Sequence, residues 1–132
     1  MFPQNFIPIK IILFYMKQAD YKYMEERPWG KFYVIQETND YKIKRIEVNS
    51  NQRLSYQYHK KRSEIWNIIE GEGTITINDN ITKYKKGDVF QIPRLAKHRI
   101  QSDNCNTVFI EVQIGEYFGE DDIVRIEDDY NR

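Results

Sequence analysis

The chain has 132 residues, enough for one domain whose core needs neither a disulfide nor a structural metal to close it. Its 20 Lys and Arg balance 20 Asp and Glu, so no excess charge recommends nucleic acid or an anionic membrane as a partner, although local basic residues can still bind a small anion such as phosphate. The one cysteine, Cys105, cannot form an internal disulfide and has no histidine near it in sequence, which argues against a nucleophile and for a reducing, cytoplasmic compartment.

The first apolar run, residues 6–15, is interrupted by Pro8 and Lys10 and is too short to span a membrane. No basic region precedes it and no small-residue cleavage site follows it, so export is not expected. Two readings stay open: an extra element that packs on the domain or on a neighbouring subunit, or an extension upstream of a start at Met16. Residues 1–26 are therefore set apart as an N-terminal extension, and residues 27–132 form the expected domain.

Beyond Gly30 the chain breaks into short runs of Ile, Val, Tyr, Phe and Thr, each closed by polar residues or glycine, which is the punctuation of strands. Strands are predicted at 31–36, 41–48, 54–59, 64–70, 73–78, 81–84, 88–92, 98–102 and 107–114. Asn39-Asp40, Asn78-Asp79-Asn80 and Lys86-Gly87-Asp88 supply turn chemistry between them. In 73–78, Ile75 and Ile77 share one face and Thr74 and Thr76 the other, as in a half-buried strand. In 41–48 the apolar parity changes between Ile43 and Ile46, which predicts a bulge near Lys44. No helical stripe runs through the middle of the chain, and the acidic tail from Gly119 to Arg132 has no usable pattern. The expected fold is a small all-β barrel or jelly roll, in which the inner faces of several strands converge and a metal can sit at the mouth.

His59 and His98 are the two histidines of the chain, and both fall in spaced clusters. The first runs Gln57, His59, Glu64, Gly71; the second runs Gly87, Pro93, His98. Residues i and i+2 of a strand point to one face, so Gln57 and His59 both face inward if their segment is extended. A turn through Lys60, Lys61 and Arg62 then returns Glu64 toward them, and His98 arrives on a later strand. Imidazole, carboxylate and amide donors suit a catalytic divalent first-row metal and lack the thiolates of structural zinc. Gln57, His59, Glu64 and His98 are the predicted ligands.

These clusters resemble the cupin motifs, and the likeness extends to the C-terminal isomerase domain of type II mannose-6-phosphate isomerases. It is carried by Arg27-Pro28-Trp29-Gly30, by Tyr41 to Ile46, by Arg53-Leu54-Ser55, by Arg62-Ser63-Glu64, by Glu111-Val112-Gln113, by Gly115-Glu116-Tyr117 and by Gly119 to Arg125. The resemblance implies a double-stranded β-helix, a divalent metal with zinc first among candidates, and aldose–ketose isomerisation between mannose 6-phosphate and fructose 6-phosphate. Many relatives carry a nucleotide-sugar pyrophosphorylase domain ahead of this one; the residues before Arg27 are too few for it, so guanylyltransferase activity is not expected.

Arg62 and Arg125 resemble the basic positions that flank the metal in this family, with Lys97, Arg99 and Lys44 as further candidates for substrate contact. Glu111 is the candidate proton-transfer base if it faces inward, and its parity neighbours Phe109 and Gln113 allow either face. Trp29, Trp66 and the tyrosines are assigned to packing. Edge strands and the apolar N-terminal run point to a homodimer. Asn51 and Leu95 stand where cupins usually have glycine, and Leu95 predicts its own shape for the loop 93–97. Lys60, Lys61 and Ile65 replace family histidines. An oxygen-dependent cupin dioxygenase and a sugar-phosphate-binding module without turnover are the competing readings.

Overall fold

The computed structural model describes residues 20–132; the apolar run 6–15 and the second methionine start lie outside the described residues. Two antiparallel sheets face each other. One takes, in spatial order, β1 (Tyr23–Arg27), β2 (Gly30–Glu37), β3 (Tyr41–Val48), β10 (Thr107–Gly115), β5 (Arg62–Glu70) and β8 (Val89–Ile92). The other takes β11 (Val124–Glu127), β4 (Tyr56–Tyr58), β9 (His98–Ser102), β6 (Gly73–Ile77) and β7 (Asn80–Tyr84). Among the described residues no helix is long and apolar enough to cross a membrane.

The predicted turns close as their chemistry requires. Asn78 and Asp79 adopt φ of 47° and 69° between β6 and β7, and Gly87 adopts 92° before β8. Asn51 takes a φ of 59°, a region asparagine tolerates. Leu95 takes a φ of 69°, in the left-handed region that favours glycine. Leu95 N–H donates to His59 O at 2.9 Å and Ala96 N–H to Pro93 O at 3.1 Å, which ties this loop to the end of β4.

Three expectations need correction. β3 carries no bulge near Lys44: Lys42, Lys44, Ile46 and Val48 alternate inward without interruption, and the register slips in β2, between Val34 and Gln36. The apolar parity changes there because two lysines, not two isoleucines, face the interior. β1 pairs with β2 from Tyr23 to Arg27, so the barrel begins ahead of the expected boundary at residue 27. The tail is not featureless, since it forms a 3-10 turn at Glu120–Asp122 and then pairs as β11 with β4.

The interior is graded along its strands. On β5 the inward residues run Arg62, Glu64, Trp66, Ile68, and on antiparallel β10 they run Phe109, Glu111, Gln113. Register sets Gln113 between Lys42 and Glu64, and Glu111 between Lys44 and Trp66. One end of the barrel is therefore apolar, built on Ile68, Ile75, Ile100 and Phe109, while the other end holds a buried polar layer. Trp66 joins the two: its ring packs 4.8 Å from that of Phe109, and its indole N–H reaches the polar layer.

Candidate metal centre

His59 follows β4, Glu64 lies on β5 and His98 opens β9, and their donor atoms lie within 4.8 Å of one another in the barrel interior. His59 Nε2 is 2.9 Å from Glu64 Oε1, and His98 Nε2 is 3.7 Å from Glu64 Oε2. Two donors each ~2.1 Å from one ion are separated by ~3.0 to 3.4 Å for octahedral or tetrahedral angles, so this spacing suits a shared cation. Both rings are oriented from behind: His59 Nδ1–H donates to Asp122 O at 2.8 Å and His98 Nδ1–H to Ala96 O at 2.9 Å. Each imidazole thus turns its Nε2 toward the carboxylate. His98, 1% exposed, has no hydrogen-bond partner at Nε2, an orphaned buried acceptor that a cation would satisfy.

The charge states fit the same reading. Burial holds His98 below the usual histidine pKa, in the neutral form a metal requires. Burial also opposes ionisation of Glu64, yet the hydrogen bond from His59 and the surrounding positive charge outweigh it and hold the carboxyl well below its ordinary range. For His59 burial opposes the charged form, and the Glu64 contact overcomes it to move the pKa upward. A proton and a divalent cation therefore compete for the same place between His59 Nε2 and Glu64 Oε1. Gln57 lies beside this cluster, paired in register with His98 and lining the same cleft.

The cleft opens to solvent and has a volume of about 60 Å³, and His59, Glu64, Gln57, Glu111 and Gln113 all line it. Glu111 faces inward, which decides the parity that sequence left open. Its Oε2 accepts from Trp66 Nε1 at 3.2 Å and its Oε1 from Gln113 Nε2 at 2.5 Å. Burial, reinforced by the nearby Glu64 charge, pushes its pKa up to about 7. Gln113 Oε1 is buried without a partner and is the second orphaned acceptor of the layer.

The basic candidates divide. Arg62 is buried in the cleft wall, 3.4 Å from Glu64 Oε1 and donating to Gly119 O at 3.2 Å. Arg125, opposite Gln57 on β11, is exposed at the mouth and makes no ion pair among the described residues. Lys44 lines the cleft, with Nζ 3.0 Å from Glu120 Oε1 and 4.1 Å from the centre of the Phe32 ring. Lys97 and Arg99 are not brought to it. Arg99 directly follows His98 and so has the opposite parity; it anchors Leu54 O at 2.8 Å and Glu127 O at 3.3 Å. Lys97 points to Asp79 at 3.9 Å. Sequence reasoning missed Gln113, Trp66 as a donor, and Asp122. The shared parity of Gln113 and Glu111 carried a signal for the first; an unpatterned tail carried none for the last.

Residues 16–128 match the family model described as mannose-6-phosphate isomerase C-terminal. A mannose-1-phosphate guanylyltransferase of Escherichia coli is 35% identical over 119 residues, which cover 88% of this chain and 25% of that protein. This chain thus spans about a quarter of such a relative's length. Among solved structures, the capsular polysaccharide assembling protein CapF of Staphylococcus aureus superposes with a TM-score of 0.68 at 21% identity, covering 80% of this chain and 34% of that one. A Klebsiella pneumoniae protein with a double-stranded β-helix domain superposes with a TM-score of 0.64 at 22% identity, covering 72% of this chain and 82% of that one. The barrel is accordingly a cupin-type double-stranded β-helix, and the chain belongs to the family of mannose-6-phosphate isomerase C-terminal domains.

Proposed function

We propose that this domain interconverts mannose 6-phosphate and fructose 6-phosphate, with a divalent ion, zinc first, held by His59, Glu64, His98 and Gln57. The observation that carries the reading is Glu111, a buried carboxyl with a pKa of about 7 that opens on the same cleft as His59 and Glu64 of the three-donor cluster. Such an isomerisation takes a proton from C2, delivers one to C1 and moves another between O1 and O2. A divalent ion held by these residues would supply Lewis acidity for the charge that develops on the substrate oxygens.

Glu111 accepts the C2 proton as a carboxylate and returns it to C1 as an acid, and a pKa near neutrality keeps both forms accessible. Trp66 and Gln113 donate to its two oxygens and hold it in place. Gln113 Oε1 is free to accept from a sugar hydroxyl. Arg125 at the mouth takes the phosphate, because a planar guanidinium bonds two phosphate oxygens at once and its charge is not neutralised by a carboxylate among the described residues. Arg62 is already engaged by Glu64 and Gly119, so it holds the metal-side wall and adds charge for an enediolate. The domain acts as a homodimer in the cytoplasm; a monomeric mass in solution scattering would remove the first of these.

A coupled assay for fructose 6-phosphate formed from mannose 6-phosphate tests the proposal. Turnover that is lost in chelator and regained on adding zinc, manganese or cobalt supports it. Metal and sugar-phosphate binding without turnover would replace it with the binding-module reading, and iron-dependent oxygen uptake with the dioxygenase reading.

A further inference from the structure

The acidic tail, unreadable as sequence, holds the back of the metal centre. Asp122 closes the 3-10 turn that leads from β10 to β11 and is 6% exposed. Its Oδ1 accepts from Lys60 N–H at 3.0 Å and its Oδ2 from Lys61 N–H at 2.9 Å. Its backbone oxygen accepts from His59 Nδ1–H at 2.8 Å. One residue therefore grips both the turn that follows His59 and the imidazole itself. The same tail is fastened just ahead of Asp122, by Arg62 to Gly119 O and by Lys44 to Glu120.

We propose that Asp122 is a positioning residue for the metal centre: its carboxylate clamps the turn at Lys60 and Lys61 so that its own carbonyl fixes the tautomer and aim of His59. The backbone carbonyl survives any substitution, but its placement depends on the two carboxylate bonds. Without them the turn and the tail part, the His59 ring loses its Nδ1 acceptor, and both tautomers and several ring orientations become accessible. Removing such a partner behind a ligand typically weakens metal binding ~10- to 100-fold. The inference rests on the metal reading of the site given above.

Zinc and cobalt are titrated into chelator-stripped wild type, Asp122→Ala, Asp122→Asn and, as a control on the same turn, Asp121→Asn. The imidazole nitrogens of the two histidines are followed by NMR. Both Asp122 variants are expected to bind either ion ~10- to 100-fold more weakly, to alter the cobalt absorption spectrum and to lose the single Nδ1–H tautomer of His59, while Asp121→Asn keeps wild-type values. Asn retains one acceptor oxygen and nearly the same shape, so it carries the test if the alanine variant does not fold. A lowered melting temperature with metal affinity within about threefold of wild type and an unchanged His59 tautomer would assign Asp122 to stability alone and overturn the inference. Failure of wild type to bind either ion would instead remove the metal reading beneath it.

Discussion

Replacing Glu111 by Gln should move activity and stability in opposite directions. Glu111 is 5% exposed and its pKa is pushed up from 4.5 to about 7, chiefly by burial and next by the Glu64 charge. Below pH 4.5 the carboxyl is protonated in folded and unfolded chains alike and contributes nothing to pH dependence. Between 4.5 and about 7 the unfolded chain ionises first, so stability falls as pH rises; above about 7 the deficit is constant. At 1.36 kcal/mol per pKa unit the deficit is at most about 3 kcal/mol. The amide introduced by Glu111→Gln carries no charge, and Gln113 can turn its own amide so that the contacts with Trp66 and Gln113 persist. The metal-free Glu111→Gln protein should therefore melt higher than wild type at pH 8, by roughly 5–10 °C, and much closer to it at pH 4. Loss of an acid–base group lowers kcat by ~10²- to 10⁴-fold, with metal affinity near wild type. Paired melting curves at the two pH values and the coupled isomerase assay read both effects. A variant that turns over normally, or that is no more stable at pH 8, would refute the assignment of Glu111 as a buried base.

Wild-type kcat should fall about tenfold per pH unit below about 7, because the carboxylate form of Glu111 is the one that accepts the C2 proton; a flat profile from pH 5 to 8 would contradict this. Arg125→Ala removes a charge-assisted contact worth ~1.5–3 kcal/mol, so KM for the sugar phosphate should rise ~10- to 100-fold with little change in metal affinity. Lys97→Ala, outside the cleft, should leave KM unchanged. Leu95→Gly relieves a left-handed leucine, a cost of ~1–2 kcal/mol, against ~0.5–1 kcal/mol of added chain entropy. A small gain in the urea midpoint is expected, and a loss would show that the leucine side chain contributes contacts that outweigh the strain.

Much of the barrel was legible because its strands obey period two. β3 and β9 begin and end at the predicted residues, and Asn78-Asp79 marked its hairpin correctly. β1 was invisible because its sequence Tyr-Met-Glu-Glu-Arg is an exposed edge strand without an apolar face. The inward lysines of β3 broke the hydrophobic pattern because they belong to the polar end of the interior, where burial is offset by Glu37 and Glu120. The histidine and Glu64 cluster was readable from spacing because one strand's i and i+2 face and one tight turn determine most of it. Arg99, a candidate for substrate contact, directly follows His98 in its strand and so lies on the opposite face, where it bonds Leu54 O and Glu127 O. The partners behind the site, Asp122 above all, come from a segment whose structure is set by tertiary hydrogen bonds, and these leave no periodicity to read.

Every role proposed for this cleft depends on one cation shared by His59, Glu64 and His98 inside the barrel. Anomalous diffraction at the metal edge from zinc- or cobalt-loaded crystals tests it directly. One strong peak within coordination distance of His59 Nε2, His98 Nε2 and a Glu64 oxygen, with the Gln57 amide beside it, is the predicted result. A loaded, folded protein with no peak there, or with its ion bound elsewhere, would contradict the account.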